Sequence, residues 1–124
     1  MKFVIDWRKN IRMRQYRVKL TDLAEKDLEN AGDYIAFVLL NPIAAVSTVK
    51  GIRDQMNKLA YFPESHELED DPILANLGVH KAYYKDYKIF YTIDSEKKVV
   101  YVVRILHMLV DSRAWLYDAF GVFG

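Results

Sequence analysis

The chain has 124 residues, 52% of them hydrophobic, enough for one domain with its own core. It holds no cysteine, which excludes disulfide frameworks and thiolate metal sites and suits a reducing cytosol. Its formal net charge is +1, and no stretch approaches the roughly 18 apolar residues a membrane span needs, so the cytoplasm is the expected location.

Charge is nevertheless segregated along the chain. Residues 1–15 carry most of a basic cluster and read as a flexible basic extension, leaving residues 16–124 as a single domain. Residues 64–71 are acidic, and residues 79–107 carry twice as many bases as acids. Such segregation permits a basic face able to meet phosphate, although on charge alone a solvated surface is the preferred reading.

The ordered elements begin at Tyr16–Leu20, where apolar and polar residues alternate as in a short strand. Thr21 and Asp22 offer N-cap oxygens, and Asp22 with Glu25 has capping-box spacing. Ala24, Leu28, Ala31, Ile35 and Val38 then recur every three or four residues, which predicts an amphipathic helix up to about Leu40. Asn41-Pro42 breaks it and starts another, because the residue before proline avoids the helical region while proline suits the first helical turn. Ala45, Val49, Ile52, Met56 and Leu59 repeat the spacing as far as Phe62-Pro63. The tight break predicts an antiparallel helical hairpin.

Residues 64–78 read as a surface loop with one short helical turn. Val79–Tyr84, Tyr87–Asp94 and Val99–His107 are rich in Tyr, Val and Ile and are joined by short polar turns, which predicts an antiparallel meander. Asp111–Phe120 forms a last helix or an ordered tail, with Trp115, Leu116 and Phe120 as its apolar contacts. The predicted order is β-α-α-β-β-β: an α+β fold, an antiparallel sheet with the α-helical hairpin packed on one face.

Several segments, in this order and spacing, resemble RelE/ParE toxins of type II toxin–antitoxin systems. They are YRVKLTDLAEKDL at Tyr16–Leu28, DYI at Asp33–Ile35, the Asn41-Pro42 break, LAYFP at Leu59–Pro63, YKIFY at Tyr87–Tyr91 and VRILH at Val103–His107. The resemblance spans roughly residues 16–116. Residues 1–12 lie outside it, so Met13 is an alternative start just ahead of the first strand. It implies a growth-inhibiting toxin of plasmid-stabilisation type, held inactive by a cognate antitoxin, with operator DNA bound only through that antitoxin. Two actions occur in the superfamily: RelE-like members cut mRNA on the ribosome, and ParE-like members block DNA gyrase.

The nuclease reading makes the chain a metal-independent mRNA endonuclease without cofactor, its partners the ribosome and mRNA. Such chemistry needs an acid, a base and positive charge beside the phosphate. By resemblance His107 is the catalytic histidine and Lys81 stands at a phosphate-binding position. Lys85, Lys88 and Arg104 are the candidate RNA or phosphate ligands, and a carboxylate base would come from Glu64, Glu67 or Glu69. Against each stands a plain structural role: a half-buried histidine, solubilising lysines, an arginine paired with a carboxylate. Arg104 and His107 are separated by an odd number on a strand, so they are expected on opposite faces and not in one pocket unless a bulge intervenes. Leu109 and Val110 stand where many relatives carry two arginines, which weakens a phosphate site. The other readings are a non-enzymatic gyrase inhibitor, favoured by the long hairpin, and a detoxified partner of an antitoxin. Of these the nuclease is the reading preferred from sequence, for the basic meander and the histidine that ends it. The apolar tail at Trp115, Leu116 and Phe120, or an exposed sheet edge, is the expected antitoxin contact. His66 with its neighbouring acids lacks coordination spacing, so no metal site is expected.

Overall fold

The computed structural model describes residues 15–122. The basic extension read at residues 1–15 lies outside them except for Gln15, whose side-chain amide donates to the Tyr61 hydroxyl at 2.7 Å. The elements are β1 (Arg17–Leu20), α1 (Asp22–Asp33), a π-helical turn (Tyr34–Val38), α2 (Pro42–Lys58), a 3-10 turn (Pro63–Ser65), the short helix α3 (Pro72–Asn76), β2 (His80–Tyr84), β3 (Tyr87–Asp94), β4 (Val99–His107) and α4 (Ser112–Ala119).

The helix starts follow from their caps. Thr21 accepts the Ala24 amide at 3.2 Å, and its own hydroxyl donates to the Val103 carbonyl at 3.0 Å, which ties the start of α1 to β4. Asn41 accepts the Ala44 amide at 3.0 Å, with Pro42 in the first turn of α2. Residue 71 plays the same part for α3, where the Asp71 carboxylate accepts the Leu74 amide at 3.2 Å.

Two details depart from expectation. The strands lie in the order β1-β4-β3-β2, and β1 runs parallel to β4, so the sheet is mixed. The first helix also ends early: α1 stops at Asp33 and the chain widens into a π-helical turn, where the Leu39 amide donates to the Tyr34 carbonyl. The extra residue in that turn rotates the stripe. Ala24, Leu28, Ala31 and Ile35 are buried, but Val38 swings out to solvent.

Both faces of the sheet carry a core. On the hairpin face Leu28, Ile52, Met56, Ile89, Tyr91 and Val102 are buried together. On the other face Phe90 packs with Leu74, Val79, Leu106 and Leu116, so α3 and α4 form a second cover beyond the expected hairpin. Each large side chain so buried stabilises the fold by roughly 1.5–3 kcal/mol relative to exposure. Buried Tyr91 satisfies its hydroxyl by donating to the Pro63 carbonyl at 2.6 Å, and burial pushes its phenol well above the usual range.

Close approach fixes one glycine. A Cβ at Gly51 on α2 would overlap the Tyr84 ring of β2. Gly51→Ala is therefore expected to displace that ring and destabilise the protein by about 1–3 kcal/mol. The same change made on a Tyr84→Ala background should be nearly neutral. Equal losses in the two backgrounds, measured by urea denaturation, would show that the ring is not the obstacle.

Candidate functional site

Strand β1 is short, and its last pairing is Leu20 with Val102. From Val103 onward the outer edge of β4 has no strand beside it. Two side chains of the α1 region take over the hydrogen bonds. The Thr21 hydroxyl serves the Val103 carbonyl, and the Asp27 carboxylate accepts the Ile105 amide at 2.9 Å. A hydroxyl and a carboxylate thus stand in for a missing strand.

The same carboxylate holds Arg104. The Arg104 guanidinium donates through Nε and a terminal nitrogen to the two Asp27 oxygens, each at 2.7 Å, and both side chains are largely buried. The hydrogen bond with Asp27 raises the guanidinium pKa further, so the group stays charged. The indole of Trp115 stacks on it, 4.9 Å from ring centre to Arg104 Cζ.

The strand pairing explains how Arg104 reaches a helix. Phe90 faces Arg104 while Tyr91 faces Val102, which leaves Val103 as a bulged extra residue. Val103 takes the core position beside Phe90 and Leu106. Arg104, on the face away from the hairpin, swings around the open edge to Asp27. His107 pairs with Tyr87 and lies on the hairpin side, its ring edge-on to Tyr87 at 5.3 Å. The two residues do leave β4 on opposite faces, as their spacing requires, yet both line one groove of about 620 Å3 that wraps the strand edge. The expectation that they could not share a pocket is corrected by this open edge: a groove running over an edge collects side chains from both faces. Leu23, Tyr34, Leu109 and Trp115 supply much of its apolar wall.

The other expected residues fall elsewhere. Lys81 pairs with Phe90 and so lies on the face away from His107. It is buried, and its ammonium is ringed by Glu67, Glu69 and Asp70 at 3.6–3.7 Å. Burial alone would lower the Lys81 pKa, but Glu69 and the other acids outweigh it and the net shift is upward. Lys88, opposite Tyr83 and Leu106, shares that far face. Lys85 occupies the turn between β2 and β3, exposed and with φ near 49°, at the same end of the sheet as His107. None of the three candidate bases lines the groove. Glu64 accepts from the Tyr16 hydroxyl at 3.1 Å, and Glu67 and Glu69 belong to the Lys81 ring.

His107 is itself engaged. Its Nδ1 accepts the Leu109 amide at 3.1 Å, so a neutral ring carries its proton on Nε2 and offers a donor, not a base, to anything in the groove. Leu116, expected as an antitoxin contact, is fully buried in the second core, which corrects that assignment: a helix on this face must bury one stripe, and Leu116 is on it. Phe120 packs against the same cluster and Trp115 remains half exposed. Asp71, which accepts from the Tyr117 hydroxyl at 2.8 and 2.9 Å, anchors α4 to the start of α3.

Sequence reasoning missed Asp27. A signal was present, since Ala24, Asp27, Leu28 and Ala31 fall at i, i+3, i+4 and i+7, which sets an acid within the buried stripe.

A model of the ParE toxin of type II toxin–antitoxin systems (parDE) matches residues 18–111. The chain belongs to this toxin family. Solved structures agree on the fold. A chain of the chromosomal ParDE system from Pseudomonas aeruginosa superposes with a TM-score of 0.62 at 20% identity, covering 76% of this chain and 97% of that one. An Escherichia coli RelE toxin mutant in the free state gives 0.59 at 15% identity, covering 86% and 96%. A chain of the Mycobacterium tuberculosis RelBE2 toxin–antitoxin complex gives 0.54 at 22% identity, covering 77% and 93%. The chain matches no curated protein. Both branches of the superfamily therefore share this α+β architecture. No helix among the described residues is long and apolar enough to cross a membrane.

Proposed function

We propose that this ParE-family toxin acts in the cytoplasm by binding its target, with DNA gyrase as that target, and not by cutting mRNA. One observation carries the reading: the two cations best placed in sequence to serve a phosphate are already neutralised, Arg104 by Asp27 and Lys81 by three carboxylates. A ribonuclease site needs uncommitted positive charge next to its acid and base. At His107 the groove offers instead apolar side chains, among them Leu109 and Val110. Such a surface suits the burial of another protein's side chains. A cognate antitoxin would restrain the toxin by covering this groove and the exposed face of Trp115.

The test pairs two assays on the purified chain. Gyrase supercoiling should fall as toxin is added, and His107→Gln should inhibit as well as the unaltered chain. In a translating cell-free system mRNA should stay intact. New mRNA 5′ ends inside ribosome-occupied codons, lost with His107→Gln, would restore the endonuclease reading and overturn this one.

A further inference from the structure

We propose that the tip of the helical hairpin is a self-association surface, through which two copies of this chain form a two-fold symmetric dimer. The proposal stands apart from how the toxin acts, because it concerns a surface at the turn of the hairpin and not the groove.

The tip is apolar, and no described residue covers it. Leu40 and Ile43 are 80% and 83% exposed, Phe37 74%, and Val38, Leu39 and Val46 each more than half. Aromatic side chains bury about 150–250 Å2 each and aliphatic ones somewhat less, so these six leave on the order of 700 Å2 open. That exceeds the largest apolar patch of a typical monomer, roughly 300–600 Å2. It also approaches the ~800 Å2 that each partner contributes to a standard protein interface.

The local backbone is arranged to present these residues. A continuous α-helix would have carried Val38 onto the buried stripe, whereas the π-helical turn sends it outward. Leu40 holds φ near 54°, a left-handed conformation that bulky side chains avoid. A leucine in a strained conformation with its side chain in solvent gains nothing within the monomer.

Charge selects the occupant. No charged residue occurs from Tyr34 to Val49. A two-fold axis sets each patch against its own copy, so any charge near it would face its like, and a charge-free patch avoids that cost. Charge returns at the margins with opposite signs, Asp33 on α1 and Lys50 on α2, both exposed. Among the described residues, a nucleic acid would find no cation between Tyr34 and Val49, and a charged peptide no counter-ion there.

The test is the mass of the full-length chain in solution, by sedimentation equilibrium over a dilution series. The unaltered chain should approach twice its 14.6 kDa mass at the higher concentrations. Ile43→Glu places two glutamates across the axis and should weaken the dimer at least about 100-fold, leaving monomer. Leu40→Gly separates interface from fold: glycine relieves the positive φ, so thermal stability of the monomer should hold or rise while the dimer weakens. A chain that stays monomeric throughout the series overturns the proposal, as does a dimer indifferent to both substitutions. If the chain is monomeric and Ile43→Glu loses antitoxin binding or gyrase inhibition, the tip belongs to that partner and self-association is refuted.

Discussion

Asp27→Ala is expected to destabilise the protein by about 3–5 kcal/mol, the loss typical when one member of a buried ion pair is removed. The substitution strands the Arg104 charge, which is largely buried under Trp115, and removes the acceptor of the Ile105 amide at the open strand edge. Urea denaturation measures it directly. The larger part of the loss comes from the orphaned charge, so removing both partners should be milder: Asp27→Leu with Arg104→Met is expected to cost only the roughly 1–3 kcal/mol of an Ile105 amide left without its acceptor. A single Asp27→Ala loss below about 1 kcal/mol would mean that water reaches Arg104 and that the pair is a surface contact.

Phe90→Ala should cost about 3–5 kcal/mol as well, by a different route. Phe90 is fully buried at the centre of the second core, with Leu74, Val79, Leu106 and Leu116 around it. That small cluster holds α4 to the sheet, so the cavity weakens one helix more than the rest. Arg113 on α4 is exposed and offers a tryptic site. Cleavage after Arg113 should accelerate in Phe90→Ala well before the hairpin face opens. In Asp27→Ala, by contrast, cleavage should track global unfolding. Uniform susceptibility in Phe90→Ala would show that the two cores unfold as one.

Much of this architecture was legible in the sequence, and the reasons are local. The strands at residues 87–94 and 99–107 are bounded by their own turn residues, and Thr21, Asn41 and Pro42 mark helix starts because cap chemistry is contained within a few residues. What periodicity gives is the face of a residue, never its neighbour. The parallel pairing of β1 with β4 was invisible for that reason, and so was the open edge it leaves beyond Val102. The shared groove of Arg104 and His107 follows from that edge, and an even-odd rule along one strand cannot foresee it. The end of α1 was misjudged because a π-helical turn keeps helical composition while shifting the phase. Lys81 read as a surface lysine or a phosphate ligand, since nothing near it in sequence announces that Glu67, Glu69 and Asp70 fold back over it.

The parallel β1–β4 pair also bears on how the chain comes to be folded. The bond from Thr21 to Val103 joins positions 82 residues apart, and β1 can add to the sheet only after β4 exists. Non-local closure of this kind slows folding relative to helical proteins of similar length. During synthesis the hairpin can form early, but the edge with Asp27, Arg104 and His107 waits until the last strand, Val99–His107, has left the ribosome. On the function proposed above, the groove and the surface an antitoxin would cover are therefore completed in the same late step.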